Sequence, residues 1–420
     1  GKPVPELSFL DLPIQLYLDL EEINAAVVGV SYFGEIVYMR GFGWSDRELT
    51  NLLQETATFR VASITKTFTA AMIMDLVDKN ILDLDEFAFN LGQPQGGILN
   101  LEPFPGPEPG DSRLAEVTVR HLLFHEAGWD RDSDAGDLTG RGSELLIKGE
   151  MGLTNLPTQE ETIRWVLGQP LQNAPGDSTD YSNVGYMALG LVAAPKSGTD
   201  LLSYVRTLLL TTDVWFPSEE LFHGRGLAEL QGPREPYYNF EFNWSNLYKP
   251  SQEVWAPYGG WNHELKEYYG RIVASAAPLL HHAHRYSLNG VDRGQPILPS
   301  GHPSMRHGGA LFGARSELWQ GSDGIDIVVM TNRYGGGVTP DSGSDIRNLV
   351  MDLIDENQPT WPTETVDCRW FDFAYPWTEQ EGSYDRPYSE IADLGNIPAW
   401  SKVKFKPGSS SWTGIITRAH

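Results

Sequence analysis

Ser63 and Lys66 have the residue types and the spacing that nucleophilic catalysis requires. Residues three positions apart on a helix share a face, so the Lys66 ammonium can reach the Ser63 hydroxyl if a helix begins there. A hydroxyl needs a base or a positive field to act as a nucleophile near neutral pH, and a partly buried lysine can accept or hold its proton. The alternative is that Ser63 only caps the helix and Lys66 is solvated, which is the commoner state of a bare S-x-x-K.

A second S-x-x-K copy, formed by Ser401 and Lys404, illustrates how common the pattern is. It lies in a polar segment that no apolar helix follows, so we discard it. The first copy is followed by apolar side chains at helical spacing over residues 65–80. This context favours Ser63 as the nucleophile.

A longer stretch around Ser63 resembles a known superfamily. Residues 59–70, read together with the Asp-Leu-Asp at 83–85, resemble the active-serine region of the serine β-lactamases and penicillin-binding proteins. That superfamily includes class C β-lactamases, D-Ala-D-Ala carboxypeptidases and family VIII carboxylesterases. Its second motif is Tyr-x-Asn, which Tyr181 and Asn183 fit.

Two more segments complete the resemblance. The third motif of the superfamily is Lys-Thr-Gly or, in esterase-like members, His-x-Gly, and His307 with Gly309 occupies that place. Residues 120–129 resemble the helix-to-loop signature between the first two motifs. Each match is weak alone, but all occur in the family order, and the resemblance covers roughly residues 20–355.

The resemblance implies a role for each motif residue. Ser63 is expected to be the acylated nucleophile and Lys66 its activating partner. Tyr181 is expected to act as base and then as acid towards the leaving group. Asn183 is expected to bond Lys66 or a substrate amide, and the backbone N–H groups of Ser63 and Ala310 would form the oxyanion hole.

His307 stands where many relatives have a lysine that binds a substrate carboxylate. A neutral imidazole is a weaker anchor for an anion, so this departure disfavours β-lactams and D-Ala-D-Ala and favours esters or uncharged amides. Arg306 or Arg315 could supply the missing charge from nearby positions. A Gly-x-Ser-x-Gly run does not occur, which argues against an α/β-hydrolase nucleophile elbow.

The leading hypothesis is therefore a serine hydrolase that forms an acyl-enzyme on Ser63 and cleaves an ester or amide, in the manner of a carboxylesterase or a peptidase. The alternatives are an acyltransferase with the same machinery, a β-lactamase, and a catalytically silent binding protein that keeps the fold. The expected partner is a small-molecule ester, amide or peptide. The oligomeric state is left open.

Histidine pairs offer a weaker case for a metal. His121 and His125 are four residues apart, a spacing that can hold an ion. No third ligand is evident nearby, and the family signature favours a structural pair. The histidines at 281, 282 and 284 are interpreted as decorating a helix end. We expect no metal and no cofactor, and the single cysteine, Cys368, excludes Cys-rich metal sites and an internal disulfide.

Two other groups of residues could belong to the functional site, but the sequence alone does not decide between this and a purely structural role. The charged loop at 130–134 could form the rim of the pocket or simply be solvated. An aromatic set could be a wall over an apolar ligand or part of the core, and we weigh these evenly. Its members are Trp255, Tyr258, Trp261, Tyr268 and Tyr269.

Composition excludes several classes of protein. The 420 residues include 31 basic and 56 acidic ones, a formal net charge of −25, which disfavours nucleic acids and anionic membranes as partners. No stretch approaches the ~18 consecutive apolar residues of a membrane helix. The chain opens without the basic and apolar regions of a signal peptide, which was either removed or never present. We favour a secreted or periplasmic location over a cytoplasmic one.

These side chains must be positioned by strands at both ends of the chain and helices between them. Strands are predicted at 27–32, 35–40, 304–312, 316–320 and 325–332, and helices at 65–80, 118–124, 160–167, 185–194 and 344–355. Residues 92–112 and 129–150 are predicted as loops, 270–280 as a helix or turn, and 213–265 receive no element.

The pattern predicts an α+β fold. Strands from both chain ends would form one antiparallel sheet flanked by helices, as in β-lactamases and transpeptidases, with a helical region inserted at about 65–300. Residues 1–355 are expected to form this domain. Residues 356–420, rich in Trp and Pro, are expected to be a tail that wraps the main body through aromatic anchors.

Overall fold

The computed structural model describes residues 3–133, 138–210, 216, 218–240, 242–298, 301–334 and 342–363, and the backbone of five short strands between 377 and 419. The helices are α1 Asp11–Leu20, α2 Thr65–Asp78, α3 Val119–Leu123, α4 Arg141–Glu150, α5 Gln159–Leu167, α6 Asn183–Ser197, α7 Leu201–Leu209, α8 Ala276–Arg285 and α9 Ser342–Asn357. The strands of the main body are β1 Ala25–Tyr32, β2 Glu35–Gly43, β3 Phe59–Arg60, β4 Leu221–His223, β5 Asn243–Ser245, β6 Glu253–Trp255, β7 Ile272–Ala274, β8 Met305–Leu311, β9 Ala314–Gln320 and β10 Ile325–Thr331. Five later strands pair only with one another: β11 Trp377–Thr378, β12 Ser383–Pro387, β13 Ser401–Lys402, β14 Ser411–Ile415 and β15 Thr417–Ala419.

The central sheet joins the two ends of the main body. Its order is β2-β1-β10-β9-β8, and every neighbouring pair is antiparallel. Val27 of β1 belongs to the core on one face of the sheet and Val28 to the core on the other, so β1 is buried on both faces. This double burial explains the continuous apolar run of that segment. The predicted α+β fold, with its sheet formed from both ends, is confirmed.

The β1–β2 hairpin turns at Phe33 and Gly34, as predicted. Their φ angles are 48° and 85°. Two successive positive φ angles match the twist of the flanking strands, and glycine adopts such angles without steric cost.

The helices and late strands form within a few residues of their predicted positions, with three differences. Residues 129–150, predicted as a loop, contain α4. The helical pattern is hidden there because α4 buries the carboxylate of Glu144 together with Ile147, whereas Leu145 and Leu146 are 41% and 49% exposed. Helices α1 and α7 were not predicted, and residues 270–280 divide into β7 and the start of α8.

Trp361 is the tail aromatic whose environment the structure describes. Its ring stacks on Tyr32 with centroids 4.3 Å apart and planes inclined by 9°. The side chains of Trp370, Trp377, Trp400 and Trp412, the other expected anchors, lie outside the described residues. None of the helices in the described part of the chain combines the length and the apolarity that crossing a bilayer requires.

Candidate active site

Ser63 lies in a 3₁₀ turn, Ala62–Ile64, that leads directly into α2. The preceding residue, Ala62, has a φ of 49°, a left-handed conformation that is uncommon for a residue with a side chain. Residues in such conformations cluster at functional sites. Ser63 is half-buried, whereas its two neighbours, Ala62 and Ile64, are buried, so its hydroxyl lies at the edge of the core.

Lys66 is buried beneath Ser63 and connects three parts of the chain. Its Nζ donates to Ser63 Oγ at 3.2 Å, to Asn183 Oδ1 at 2.8 Å and to the carbonyl oxygen of Tyr269 at 3.1 Å. The residue is 1% exposed. The alternative of a solvated first-turn lysine is therefore wrong.

Tyr181 and Asn183 reach the same centre from the start of α6. Ser182 caps this helix, because its Oγ accepts a hydrogen bond from the backbone N–H of Gly185 at 3.0 Å. Lys66 Nζ lies 4.6 Å from the centroid of the Tyr181 ring, and the guanidinium carbon of Arg131 lies 4.4 Å from it. The structure thus brings Ser63 and Lys66 together with the residues of the second motif, and places two cations against the Tyr181 ring.

Arg131, in the described part of the charged loop, lies beside the second motif. Together with Trp129, Leu138 and Gln172 it lines a pocket that reaches Asn183. This placement favours the rim of a pocket for Arg131, although its side chain is also 42% exposed.

His125 holds the segment that carries Tyr181. Its Nδ1 accepts a hydrogen bond from the backbone N–H of Ser182 at 3.2 Å, and its carbonyl oxygen accepts one from Asp180 N–H at 2.8 Å. Burial, with the positive charges of Arg293 and Lys66, holds the pKa of His125 well below its usual value. A neutral ring agrees with the acceptor role of Nδ1.

The hydrogen bond between His125 and the backbone of Ser182 was not predicted from the sequence, although residues 120–129 resemble the helix-to-loop signature of the superfamily. His121 has a similar structural contact, since its Nδ1 accepts from the backbone N–H of Thr118 at 3.3 Å in a capping box. The two histidines, proposed above as a structural pair, thus bond the backbone. Within the described residues, no group of three or more potential metal ligands lies close enough to hold an ion.

Strand β8 brings the third motif against the turn that contains Ser63. A side chain at Gly309 would overlap the carbonyl oxygen of Val61, and only glycine allows this approach. Ser316 Oγ, on the neighbouring strand, donates to the same carbonyl at 2.8 Å. Ala310 follows Gly309 in β8, beside the turn, which is the neighbourhood that the oxyanion-hole prediction requires.

His307 lies half-buried in the same strand. Burial and the nearby positive charges of Lys66 and Arg293 lower the pKa of His307 to about 3. Its imidazole is therefore neutral at ordinary pH. The Nδ1 atom lies 3.0 Å from the carbonyl oxygen of Gly308.

Arg293 is a cation of this site that sequence reasoning missed. Its Nη1 donates to the carbonyl oxygen of Leu123 at 2.8 Å. Of the two arginines considered instead, Arg306 bonds Glu317 at 3.3 Å, and Arg315 bonds the carbonyl oxygen of Gly309 at 3.4 Å. Arg293 lies in a Gly-containing loop without periodicity, and nothing in the sequence marks it.

The aromatic set divides between core and surface. Tyr268 and Tyr269 are buried core residues, and the carbonyl group of Tyr269 holds Lys66. Trp255 and Tyr258 pack around Tyr237. Trp261 is half-buried, with its ring 5.3 Å from that of Phe312, at the end of β8.

The remaining candidates lie apart from the motif residues. The run 281–284 lies in the last turns of α8, where His282 is buried with its ring 4.1 Å from that of Phe68. Ser401 begins a two-residue strand rather than a helix, which agrees with its rejection as a nucleophile.

Comparisons with known proteins agree with this architecture. The sequence model of the Beta-lactamase family matches residues 15–262, more than half of the chain. Esterase EstB of Burkholderia gladioli is 30% identical over 203 residues, which are 48% of this chain and 48% of EstB. The chain thus spans about half the length of that relative.

Solved structures of low sequence identity share the fold. The D-amino acid amidase of Ochrobactrum anthropi SV3 superposes with a TM-score of 0.56 at 16% identity, over 84% of this chain and 100% of the amidase. EstCE1, described as a hydrolase with promiscuous acyltransferase activity, superposes with a TM-score of 0.55 at 18% identity, over 82% of this chain and 98% of its own. Given the family match and the arrangement of the three motifs, the chain belongs to the Beta-lactamase family, within the superfamily of serine β-lactamases and penicillin-binding proteins.

Proposed function

We propose that the chain is a serine hydrolase that cleaves an ester or an amide through an acyl-enzyme on Ser63. One observation carries the proposal: a buried Lys66 lies 3.2 Å from Ser63 Oγ and 2.8 Å from Asn183 Oδ1. A lysine is seldom buried without a task, because removing its charge from water is costly. Here it lies where it can activate a hydroxyl.

In the first half of the proposed reaction, Tyr181 takes the proton of Ser63 as Oγ bonds to the substrate carbonyl carbon. The positive charges of Lys66 and Arg131 beside the Tyr181 ring stabilise the negative charge on a phenolate. The oxyanion of the tetrahedral intermediate faces the backbone N–H groups of Ser63 and Ala310. The bond to the leaving group then breaks, and the leaving alcohol or amine takes the proton from Tyr181.

Deacylation repeats these steps with water. Tyr181 accepts a proton from the water that attacks the Ser63 ester, and then returns a proton to Ser63 Oγ as the acid product leaves. An alcohol or amine in place of water would give acyl transfer, which is the second candidate, and EstCE1, with promiscuous acyltransferase activity, shares the fold. In our proposal the catalytic domain spans residues 1–355, and 356–420 form a tail.

The neutral state of His307 supports an uncharged ester or amide as substrate. A protonated lysine binds a carboxylate through charge, whereas a neutral imidazole offers only a hydrogen bond. The similarity to an esterase, EstB, points in the same direction. We therefore expect short-chain esters to be better substrates than β-lactams that carry a carboxylate.

The test is the loss of the Ser63 hydroxyl. We expect Ser63→Ala to lower the kcat for p-nitrophenyl acetate by at least about 10³-fold and to abolish the mass increase on treatment with a fluorophosphonate. Ser401→Ala is the matched control and is expected to keep both. A folded Ser63→Ala protein that retains near-normal turnover would refute the proposal, and the absence of any Ser63 adduct in the wild type would favour a silent binding protein.

A further inference from the structure

The β8–β9 hairpin carries an aromatic side chain at its tip. The turn is formed by Phe312 and Gly313, between the last residue of β8 and the first of β9. Phe312 follows Ala310 by two positions, or about 7 Å along an extended strand. A side chain at this tip is therefore close to the carbonyl carbon of any substrate that occupies the oxyanion hole proposed above.

Phe312 belongs to a cluster of aromatic rings. Its centroid lies 4.7 Å from those of Phe240 and Trp244 and 5.3 Å from that of Trp261. Phe240 is 4% exposed and backs the cluster, whereas Phe242 is 49% exposed. We call the half-buried and exposed members Phe242, Trp244, Trp261 and Phe312 the aromatic wall.

The aromatic wall is also connected to the candidate active site through Lys266 and Tyr269. Lys266 Nζ lies 5.1 Å from the Trp261 ring and 5.4 Å from the Tyr269 ring. Lys66 Nζ lies 5.5 Å from the same Tyr269 ring. Tyr269 and Lys266 therefore connect Lys66, beneath Ser63, to Trp261 of the aromatic wall through side-chain contacts.

Residues 129–133 and 138–150 also border this region. Arg141, the first residue of α4, donates to the carbonyl oxygen of Gly260 at 2.8 Å and to Ser245 Oγ at 2.6 Å. Its guanidinium carbon lies 5.5 Å from the Trp244 ring. Because Arg131 lies over the Tyr181 ring and Arg141 over the Trp244 ring, these two arginines border the catalytic residues and the aromatic wall respectively.

The β5–β6 hairpin carries two tryptophans, Trp244 and Trp255, whose environments can be compared. Trp244 pairs with Val254 and Asn243 pairs with Trp255. Successive residues of a strand point to opposite faces, so Trp244 and Trp255 lie on opposite faces of the hairpin. Trp255 lies instead beside Tyr237, with ring centroids 6.4 Å apart, and beneath Arg47 at 4.9 Å.

We propose that the aromatic wall is a subsite for a bulky apolar group of the substrate, an aromatic ring or a long aliphatic chain. The inference rests on the proposed function and names the class of ester or amide that the site prefers. Half-buried aromatic rings beside a reacting centre favour apolar groups, because both surfaces leave water on binding. The wall requires no charge on the substrate, which agrees with the neutral His307.

The experiment compares two substrate series in wild-type protein and in Phe312→Ala and Trp244→Ala. The acyl group varies in p-nitrophenyl acetate, octanoate and phenylacetate, and the leaving group varies in methyl and benzyl butyrate. We expect wild-type kcat/KM to favour the bulky member of at least one series, and the variants to reduce that preference by about tenfold or more. On methyl butyrate, whose methyl leaving group and short acyl chain offer little apolar surface to the wall, the variants should lose less rate than on the bulky member of the affected series.

Trp255→Ala is the matched control, since it removes an indole from the other face of the same hairpin and is expected to keep the wild-type preference. Phe242→Ala, at an exposed position, replaces either variant that fails to fold. Unchanged preferences in both series, or an equal loss with Trp255→Ala, would overturn the inference while Ser63-dependent hydrolysis of p-nitrophenyl acetate still stands. Absence of that hydrolysis in wild type would instead refute the proposed function.

Discussion

His307 is an uncharged side chain in a positively charged part of the site. Burial and the charges of Lys66 and Arg293 lower its pKa to about 3, so the protonated form exists only in strong acid. At neutral pH the positive charges near the substrate belong to residues already engaged with protein oxygens, such as Arg293 with the Leu123 carbonyl. The site therefore lacks, at position 307, the charge that anchors a carboxylate.

Replacing His307 by lysine should shift selectivity towards anionic substrates. We expect His307→Lys to raise the ratio of kcat/KM for nitrocefin to that for p-nitrophenyl acetate by about tenfold, because a charged hydrogen bond to a carboxylate is stronger than a neutral one. His307→Gln, which is neutral, is the control and should leave the ratio near that of wild type. A wild-type protein that already prefers nitrocefin strongly would show that the β-lactamase alternative is correct.

At this scale the sequence predicted contacts that belong to motifs and missed contacts to the backbone. The proximity of Ser63, Lys66 and Asn183 could be predicted because each motif contributes a side chain at a characteristic spacing. His125 and Arg293 instead bond main-chain groups far along the chain. Any residue can present a main-chain group, so such contacts leave no pattern of residue types.

Arg60 lies in strand β3, which precedes the turn containing Ser63, and bonds this strand to a later part of the chain. The side chain is 0% exposed and donates to the carbonyl oxygens of Pro257 at 2.7 Å and Arg225 at 3.0 Å. Its Nε lies 3.6 Å from the carboxylate of Glu235. Arg60 therefore joins the segment 225–257 to the strand that leads to the nucleophile.

Neutralising Glu235 should destabilise the protein strongly. We expect Glu235→Gln to lower the free energy of unfolding by about 3 kcal/mol, because it leaves Arg60 buried without its ion-pair partner. Asp85→Asn is the control. It breaks the Arg120–Asp85 pair, with N and O atoms 2.8 Å apart, whose side chains are 45% and 73% exposed, and should cost far less stability because solvent screens the pair. Urea unfolding of the three proteins would measure the difference, and equal costs would contradict the role of Arg60.

Elements could be predicted where a periodic apolar pattern meets a continuous core, as in β1, β10 and α2. Helix α4 could not, because it buries a carboxylate and exposes leucines. No element was predicted for 213–265, because the described residues there are held by Arg60, Phe312 and Arg141 through contacts distant in sequence.

Burial of Glu144 links the stability of the whole molecule to pH. The residue is 1% exposed, and burial raises the pKa of its carboxyl to about 7 from 4.5. Below pH 4.5 the group is protonated in both folded and unfolded chains. Between pH 4.5 and 7 only the unfolded chain loses the proton, so stability falls as the pH rises through this range.

We therefore expect Glu144→Gln to remove part of the pH dependence. The difference in unfolding free energy between pH 4.5 and 7.5 should shrink by about 3 kcal/mol relative to wild type. Urea titrations at the two pH values would measure it, with Glu108→Gln, in an exposed loop, as the control. A variant whose pH dependence equals that of wild type would contradict the buried, protonated state of Glu144.

Because the central sheet joins strands that are distant in sequence, the parts of the candidate site are synthesised at different times. Ser63 leaves the ribosome before β8, which passes its turn, and β10, which pairs with β1, and both strands follow some 250 residues later. At about 5–20 residues per second this interval is tens of seconds. Throughout it β1 has no β10 to pair with, and the nucleophile has no oxyanion strand. A nascent chain of this protein is thus expected to acquire its chemistry only after β10 has been synthesised, and to need protection of the unpaired edge of β1 until then.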